Sequence, residues 1–340
     1  MEKKPGERPS TSTYIIAEMA CSHEGDPALA RKIIEGAGQA GADAIQFQIW
    51  SLKDVDVPHH PDYAMRKRLE FPYKVWAELA DYTRKNYPSM QIIGCVYEQR
   101  SVDFCGTIGV DAYKLHSADL SNPNFVKVVA ATGKRIDLSV GASLLNEIQA
   151  AIEWIRSVSQ SDICLMYGFQ NFPTRTDDIH LNYMMKLKQL FELPIGYQDH
   201  SDGDTDAAFW LPAAAVGMGV DILEKHITHN RALEGIDHEA ALNPDEFARF
   251  VTMVRQIEAA KGISVPKPFS PAEQRYRQYA KKSIVASRDL VAGARLNEED
   301  FRFMRAGDLG LPPDQAYRLI GRVTKRDIAA YHLIREDDVL

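Results

Sequence analysis

Cysteine is scarce: the 340 residues hold four, Cys21, Cys95, Cys105 and Cys164, with no paired spacing among them. That speaks against a disulfide framework and fits a reducing compartment. Cys21, Cys95 and Cys164 lie in or just after apolar runs, where cysteine serves as a small hydrophobe. No apolar run approaches the ~18 residues of a membrane span. The first ten residues lack the apolar core of a secretion signal, so a flexible lead-in over residues 1–12 and a cytoplasmic location are expected. Positive charge is not in excess either, and a net charge of −7 argues against a nucleic-acid partner. CxxC, GxxxxGK(S/T) and GxSxG are all missing, which leaves zinc modules, nucleotide loops and serine hydrolases without support.

What is present is a regular alternation. Hydrophobic residues make up 45% of the chain and charged residues 26%, an ordinary globular balance with ample length for a core. Eight strand-like runs follow one another: Thr13–Ala20, Ala42–Trp50, Met90–Tyr97, Asp111–His116, Arg135–Gly141, Asp162–Phe169, Pro194–His200 and Asp221–Thr228. Helical patterns separate most of them. Asp26-Pro27 reads as an N-cap followed by a first-turn proline. Ser143 to Glu147 opens another helix and offers a cap. His180–Phe191, Phe209–Val216 and Asp245–Ala260 carry helical apolar spacing. Eight β–α units over residues 13–262 predict a (β/α)₈ TIM barrel in the α/β class. Three prolines near Gly262 mark a linker over 263–280, and residues 281–340 read as a small module.

Polar residues gather at the carboxyl ends of these strands, the active face of such a barrel. His200 and His226 each close an apolar run beside a carboxylate. With Asp199, Glu224, Asp237 and His238 near in sequence, they suit an open divalent-metal site. Glu18 ends strand one inside apolar surroundings, where a carboxylate is costly unless paired or functional. Gln46 and Gln48 offer amides to a polyhydroxylated ligand. Lys114, within an apolar strand, reads as an anion ligand or acid–base group. Ser139 before Gly141 suits a phosphate, and Gln170, Asn171 and Phe172 form an amide and aromatic loop able to cover a sugar.

Taken together and in order, these strand ends resemble the sialic acid (N-acetylneuraminate) synthase family, including the legionaminate and pseudaminate synthases. Glu224-Lys-His226-Ile-Thr, Gly235-Ile-Asp237-His238 and Leu242-Asn-Pro-Asp-Glu-Phe247 are similar to its EKHxT, GxDH and LxPxEF. Tyr113-Lys114-Leu-His-Ser117-Ala-Asp119, Leu138-Ser139-Val-Gly141 and Gly196-Tyr-Gln-Asp-His200 are similar to YKIPSGD, LSTGM and GYSDH. Lys282-Ser-Ile-Val-Ala, Phe303-Met-Arg305 and Ile320-Gly-Arg resemble the family's antifreeze-like (SAF) domain. The resemblance implies condensation of phosphoenolpyruvate with an open-chain acylamino sugar to a nine-carbon 2-keto-3-deoxy acid and phosphate. It implies a divalent ion, Mn²⁺ with Mg²⁺ or Co²⁺ as alternatives, at His200 and His226. Glu18, Lys114 and Asp237 are the expected catalytic groups. Gln46, Gln48, Ser117, Ser139, Gln170, Asn171, Phe172, Gln198 and Glu224 are the expected substrate contacts. A domain-swapped homodimer is implied, with Arg305 reaching the neighbouring barrel.

Several positions depart from the family pattern. Gln46 stands where the family has a lysine that holds phosphoenolpyruvate, Phe172 where it has tyrosine, Arg175 where it has proline, and Gln198 where it has serine. Lys53 and Arg175 are the candidate compensating cations. Another donor such as pyruvate, or a non-catalytic sugar-binding derivative, stays open as an alternative.

Overall fold

A computed structural model describes residues 12–340; most of the lead-in expected over residues 1–12 lies outside the described residues. Each of the eight runs contains a strand, trimmed at its ends. These are β1 (Tyr14–Glu18), β2 (Ala44–Ile49), β3 (Gln91–Val96), β4 (Ala112–Leu115), β5 (Arg135–Ser139), β6 (Ile163–Tyr167), β7 (Ile195–Asp199) and β8 (Ile222–His226). All pair in parallel and in sequence order, and β1 closes on β8 to complete a TIM barrel.

Helices α1 (Pro27–Ala40), α2 (Leu52–Val55), α3 (Tyr63–Leu69) and α4 (Tyr73–Asn86) fall between the first three strands. Next come α5 (Gln99–Ile108), α6 (Pro123–Ala130), α7 (Leu145–Arg156), α8 (Leu181–Phe191), α9 (Ala207–Met218) and α10 (Pro244–Lys261). The Asp26 carboxylate accepts the Ala28 amide hydrogen, and Pro27 begins α1. The Ser143 cap is corrected: its hydroxyl turns back to the Gly141 carbonyl, and Glu147 accepts from the Leu144 amide at 2.7 Å instead. Gly36-Ala-Gly-Gln-Ala-Gly41 spells a dinucleotide-loop pattern, but it forms the end of α1 and its C-cap rather than a strand-to-helix turn.

The period-two alternation of strands decides what faces the barrel axis. Ile16, Ala44, Ile93, Ala112, Cys164, Met166 and Ile222 form one buried apolar cluster inside the barrel. Their neighbours along each strand, including Ile15, Ala17, Ile45, Phe47 and Leu223, belong to the larger core packed against the helices. Below the apolar layer, the Arg135 guanidinium bonds both Asp137 oxygens at 3.0 Å and lies 4.6 Å from the Tyr14 ring centre. That end of the barrel is thereby filled. Two residues above the apolar layer, the same inward rows present Glu18, Gln46, Lys114 and Glu224.

Contacts divide the chain into two units, one ending at Gly262 and the other spanning Ile263–Leu340. The second holds α11 (Pro271–Ala280) and an antiparallel pair, β9 (Ser283–Ala286) with β10 (Phe301–Met304). Ile284, Leu290, Leu296, Leu319, Ile328 and Ile334 are among its buried core. About half of the stretch read as a linker over 263–280 is helix. Ser270 and Glu273 form a reciprocal capping box, and Pro271 begins the first turn.

Candidate active site

His226 ends β8 and His200 follows β7 directly, so both reach the carboxyl mouth of the barrel with rings 5.2 Å apart. Glu224, two residues before His226, shares its inward face. One ligand atom from each of the three residues lies within 4.8 Å of the others. Burial, the largest influence on both imidazoles, lowers their pKa values and keeps them in the neutral form that binds metal. His200 Nδ1 meets the Phe169 carbonyl at 2.9 Å, which leaves Nε2 for an ion. Glu224 Oε2 and His226 Nδ1 are buried without partners among the described residues. Two imidazoles and one carboxylate with open positions fit a divalent transition ion. Asp199, Asp237 and His238, considered with them from sequence, are engaged elsewhere. Asp199 pairs with buried Lys225 at 2.7 Å, Asp237 accepts from the Cys21 amide, and His238 meets Thr228.

Beneath the histidines lies a charged floor. Lys114 Nζ sits 2.5 Å from Glu224 and 4.0 Å from Glu18. Gln198 donates to Glu224 at 3.1 Å and accepts from Ser139 at 3.0 Å. Glu18 accepts from the Ala20 amide at 2.6 Å and from Gln48 at 3.1 Å. Burial pushes the Glu18 pKa up to about 8; Lys114 pulls it down and Glu224 raises it further. Burial opposes the Lys114 ammonium, yet Glu224 and Glu18 together outweigh it and raise its pKa. Asp237 is also raised, chiefly by burial. Gln46 is fully buried, and neither of its amide atoms has a partner among the described residues.

One cavity of about 250 Å³ collects most of the expected residues: Glu18, Gln48, Lys114, Gln170, Phe172, Gln198, His200, Glu224, His226 and Asp237. That size is near the lower end of small-molecule sites. Phe172 stands 4.3 Å from the His200 ring and 5.7 Å from His226. Ser139 is one hydrogen bond behind the wall, on Gln198. Gly141 beside it has a packing reason, because a Cβ there would fall 2.3 Å from the Gly168 carbonyl.

Some expected residues are not on the wall. Ser117 lies in the short helical turn after β4, where His116 accepts the Ala118 amide hydrogen. Asn171 is exposed in the loop that brings Phe172 inward. Arg305 is exposed just after β10, in the second unit. The compensating cations are also corrected: Lys53 and Arg175 are exposed and not on the wall. Sequence reasoning missed Arg66, Tyr97 and His116, which do line it. Tyr97 and His116 were visible in principle, each two residues beyond an inward position and last in its strand-like run. Arg66 sits in a polar excursion that carries no periodic signal.

Residues 33–265 match the NeuB family, and residues 281–340 match the SAF domain. The chain is 30% identical over 342 residues to the N,N'-diacetyllegionaminic acid synthase of Legionella pneumophila, covering 94% of this chain and 93% of that one. It is 32% identical to an uncharacterized protein of Methanocaldococcus jannaschii, over 96% of this chain and 95% of the other. The crystal structure of N-acetylneuraminic acid synthetase from Leptospira borgpetersenii, in complex with citrate, superposes with a TM-score of 0.71 at 30% identity. It covers 78% of this chain and 91% of that one. With its closed eight-stranded barrel and C-terminal SAF domain, the chain belongs to the NeuB family and is a carbon–carbon bond-forming synthase of nonulosonic acid synthesis.

Proposed function

We propose that the protein joins phosphoenolpyruvate to the open-chain form of an N-acylated amino sugar, releasing phosphate. The observation that carries this reading is the His200–Glu224–His226 donor set standing over the Glu18–Lys114–Glu224 floor in one cavity. Carbon 3 of phosphoenolpyruvate forms the new bond to the sugar aldehyde carbon, whose oxygen takes up a proton. Water then adds at carbon 2, and phosphate departs by carbon–oxygen cleavage, leaving the 2-keto acid. His200, Glu224 and His226 would hold a divalent ion, Mn²⁺ in this reading, which would supply Lewis-acid polarisation of the aldehyde. Glu18, held protonated near neutrality by burial, is placed to exchange that proton. Lys114 supplies fixed positive charge for the anionic donor, Gln48 and Asp237 hold sugar hydroxyls, and Phe172 gives an apolar wall. The SAF module of one chain serves the cavity of a second chain in a homodimer, and Arg305 holds the acyl group there.

Purified protein mixed with phosphoenolpyruvate, Mn²⁺ and a panel of N-acylated hexosamines should release phosphate with at least one sugar. No release from folded, metal-loaded protein refutes the reading. The buried Gln46 amide, in place of a cation, favours a second reading with pyruvate as donor, which the same panel separates by product formation without phosphoenolpyruvate. Mixing full-length Arg305→Ala and His226→Ala chains tests the shared site. Mixed dimers should regain activity that neither variant has alone.

A further inference from the structure

The cavity wall carries three carboxyl groups, Glu18, Glu224 and Asp237, and two cations, Lys114 and Arg66, among the described residues. Lys114 is already committed to Glu224 and Glu18. Arg66 is differently placed. Only its Nη1 is used, donating to both oxygens of Asp56 at 3.0 and 3.1 Å. The Nε and Nη2 edge makes no hydrogen bond to a described residue, and the side chain is 38% exposed while Asp56 is 8% exposed. A guanidinium with one corner pinned and one edge open is preset for a planar two-point acceptor.

Its scaffold is fixed as well. Asp56 caps α2, the Leu52 amide donates to Glu70 at 3.0 Å, and Leu69 at the end of α3 is buried. Burial pushes the Cys21 thiol after β1 up and the His116 imidazole after β4 down, and the Arg66 charge is a minor lowering influence on both.

We infer that Arg66 is the second cation of the donor site, its free edge taking the carboxylate or phosphoryl group of the anionic substrate at the barrel mouth. This rests on the synthase reading above. It also gives the barrel its own replacement for the charge that Gln46 does not provide.

The test measures affinities of full-length, Mn²⁺-loaded protein for phosphoenolpyruvate, pyruvate and inorganic phosphate by calorimetry, with steady-state kinetics alongside. Arg66→Met should weaken phosphoenolpyruvate about ten- to hundred-fold, the range of charge-assisted contacts, raising its KM while the sugar KM stays put. Arg66→Lys should recover part of that loss. A parallel loss for phosphate assigns the phosphoryl group, and one for pyruvate assigns the carboxylate. Asp56→Asn separates binding from scaffolding: it should leave donor affinity equal or tighter, because the guanidinium then keeps its full charge. Arg66→Met affinities within two-fold of wild type for all three probes overturn the inference alone. So does an Asp56→Asn loss matching that of Arg66→Met, which marks a purely structural pair. Wild-type protein that binds none of the three probes removes the synthase reading and the inference together.

Discussion

Gln46 is the residue whose replacement should separate stability from function most sharply. It lies on β2 beside Glu18 in register, has no exposed surface, and leaves both amide atoms unpartnered among the described residues. A buried polar group left unsatisfied costs about 1–3 kcal/mol, and the amide offers two such atoms. Methionine has nearly the same length and no hydrogen-bonding demand. Gln46→Met should therefore stabilise the substrate-free barrel by about 1–3 kcal/mol, a rise in Tm of about 3–9 °C for a unit of this size. Gln46 itself is not on the cavity wall, but donor affinity should fall in the same variant through Glu18, its neighbour in register. Urea titration followed by circular dichroism gives the midpoint, and calorimetry gives the affinity. A loss of stability beyond about 1 kcal/mol, or a stability gain with unchanged donor binding, would refute the reasoning.

Three further outcomes are expected. Lys225→Met should destabilise the barrel by about 3–5 kcal/mol in chemical denaturation, because it strands the Asp199 carboxylate where both residues are at most 1% exposed; a simultaneous Asp199→Leu should recover part of the loss. Glu18 has a folded pKa raised to about 8 from 4.5, so its contribution to stability is complete below about pH 4.5 and is lost as pH rises through 8. Wild type should thus lose stability relative to Glu18→Gln between pH 5 and 8.5, and a difference independent of pH would count against a buried titrating carboxyl. Mn²⁺ at a hundredfold excess over its Kd should stabilise the fold by about 2.7 kcal/mol in thermal shift, and His226→Ala should abolish that shift.

The barrel was legible because each buried strand is a short apolar run closed by a polar residue, and burial on both faces leaves little else for such a run to be. Glu18, Lys114 and Glu224 stood out because charge inside an apolar run needs a partner, and they turned out to be partners of one another. Which of two adjacent charges faces inward was also within reach. Once His226 points to the axis, Glu224 must follow and Lys225 must turn away. Other features were hidden by physics that local pattern does not carry. Arg66 owes its place to the α2–α3 excursion, whose sequence is polar and aperiodic, so nothing announces where its side chain arrives. The helix at Pro271–Ala280 buries none of its residues and shows no apolar stripe, which made its prolines look like a linker alone. Arg305 cannot be located by local pattern, since its proposed role depends on another chain.

The alternation in β7 and β8 also limits how this chain can change length. Gln198 and His200, with Glu224 and His226, occupy one parity, while Asp199 and Lys225 occupy the other. Removing a single residue upstream within β7 would turn His200 toward the helices and swing Asp199 into the cavity, inverting two buried networks at once. A surface loop, by contrast, can double in length for about 0.6 kcal/mol. Growth and shrinkage are therefore tolerable in surface connections and prohibited in the staves of the barrel. Substrate preference can drift by remodelling the rim, while the spacing that presents the three donors is locked by counting.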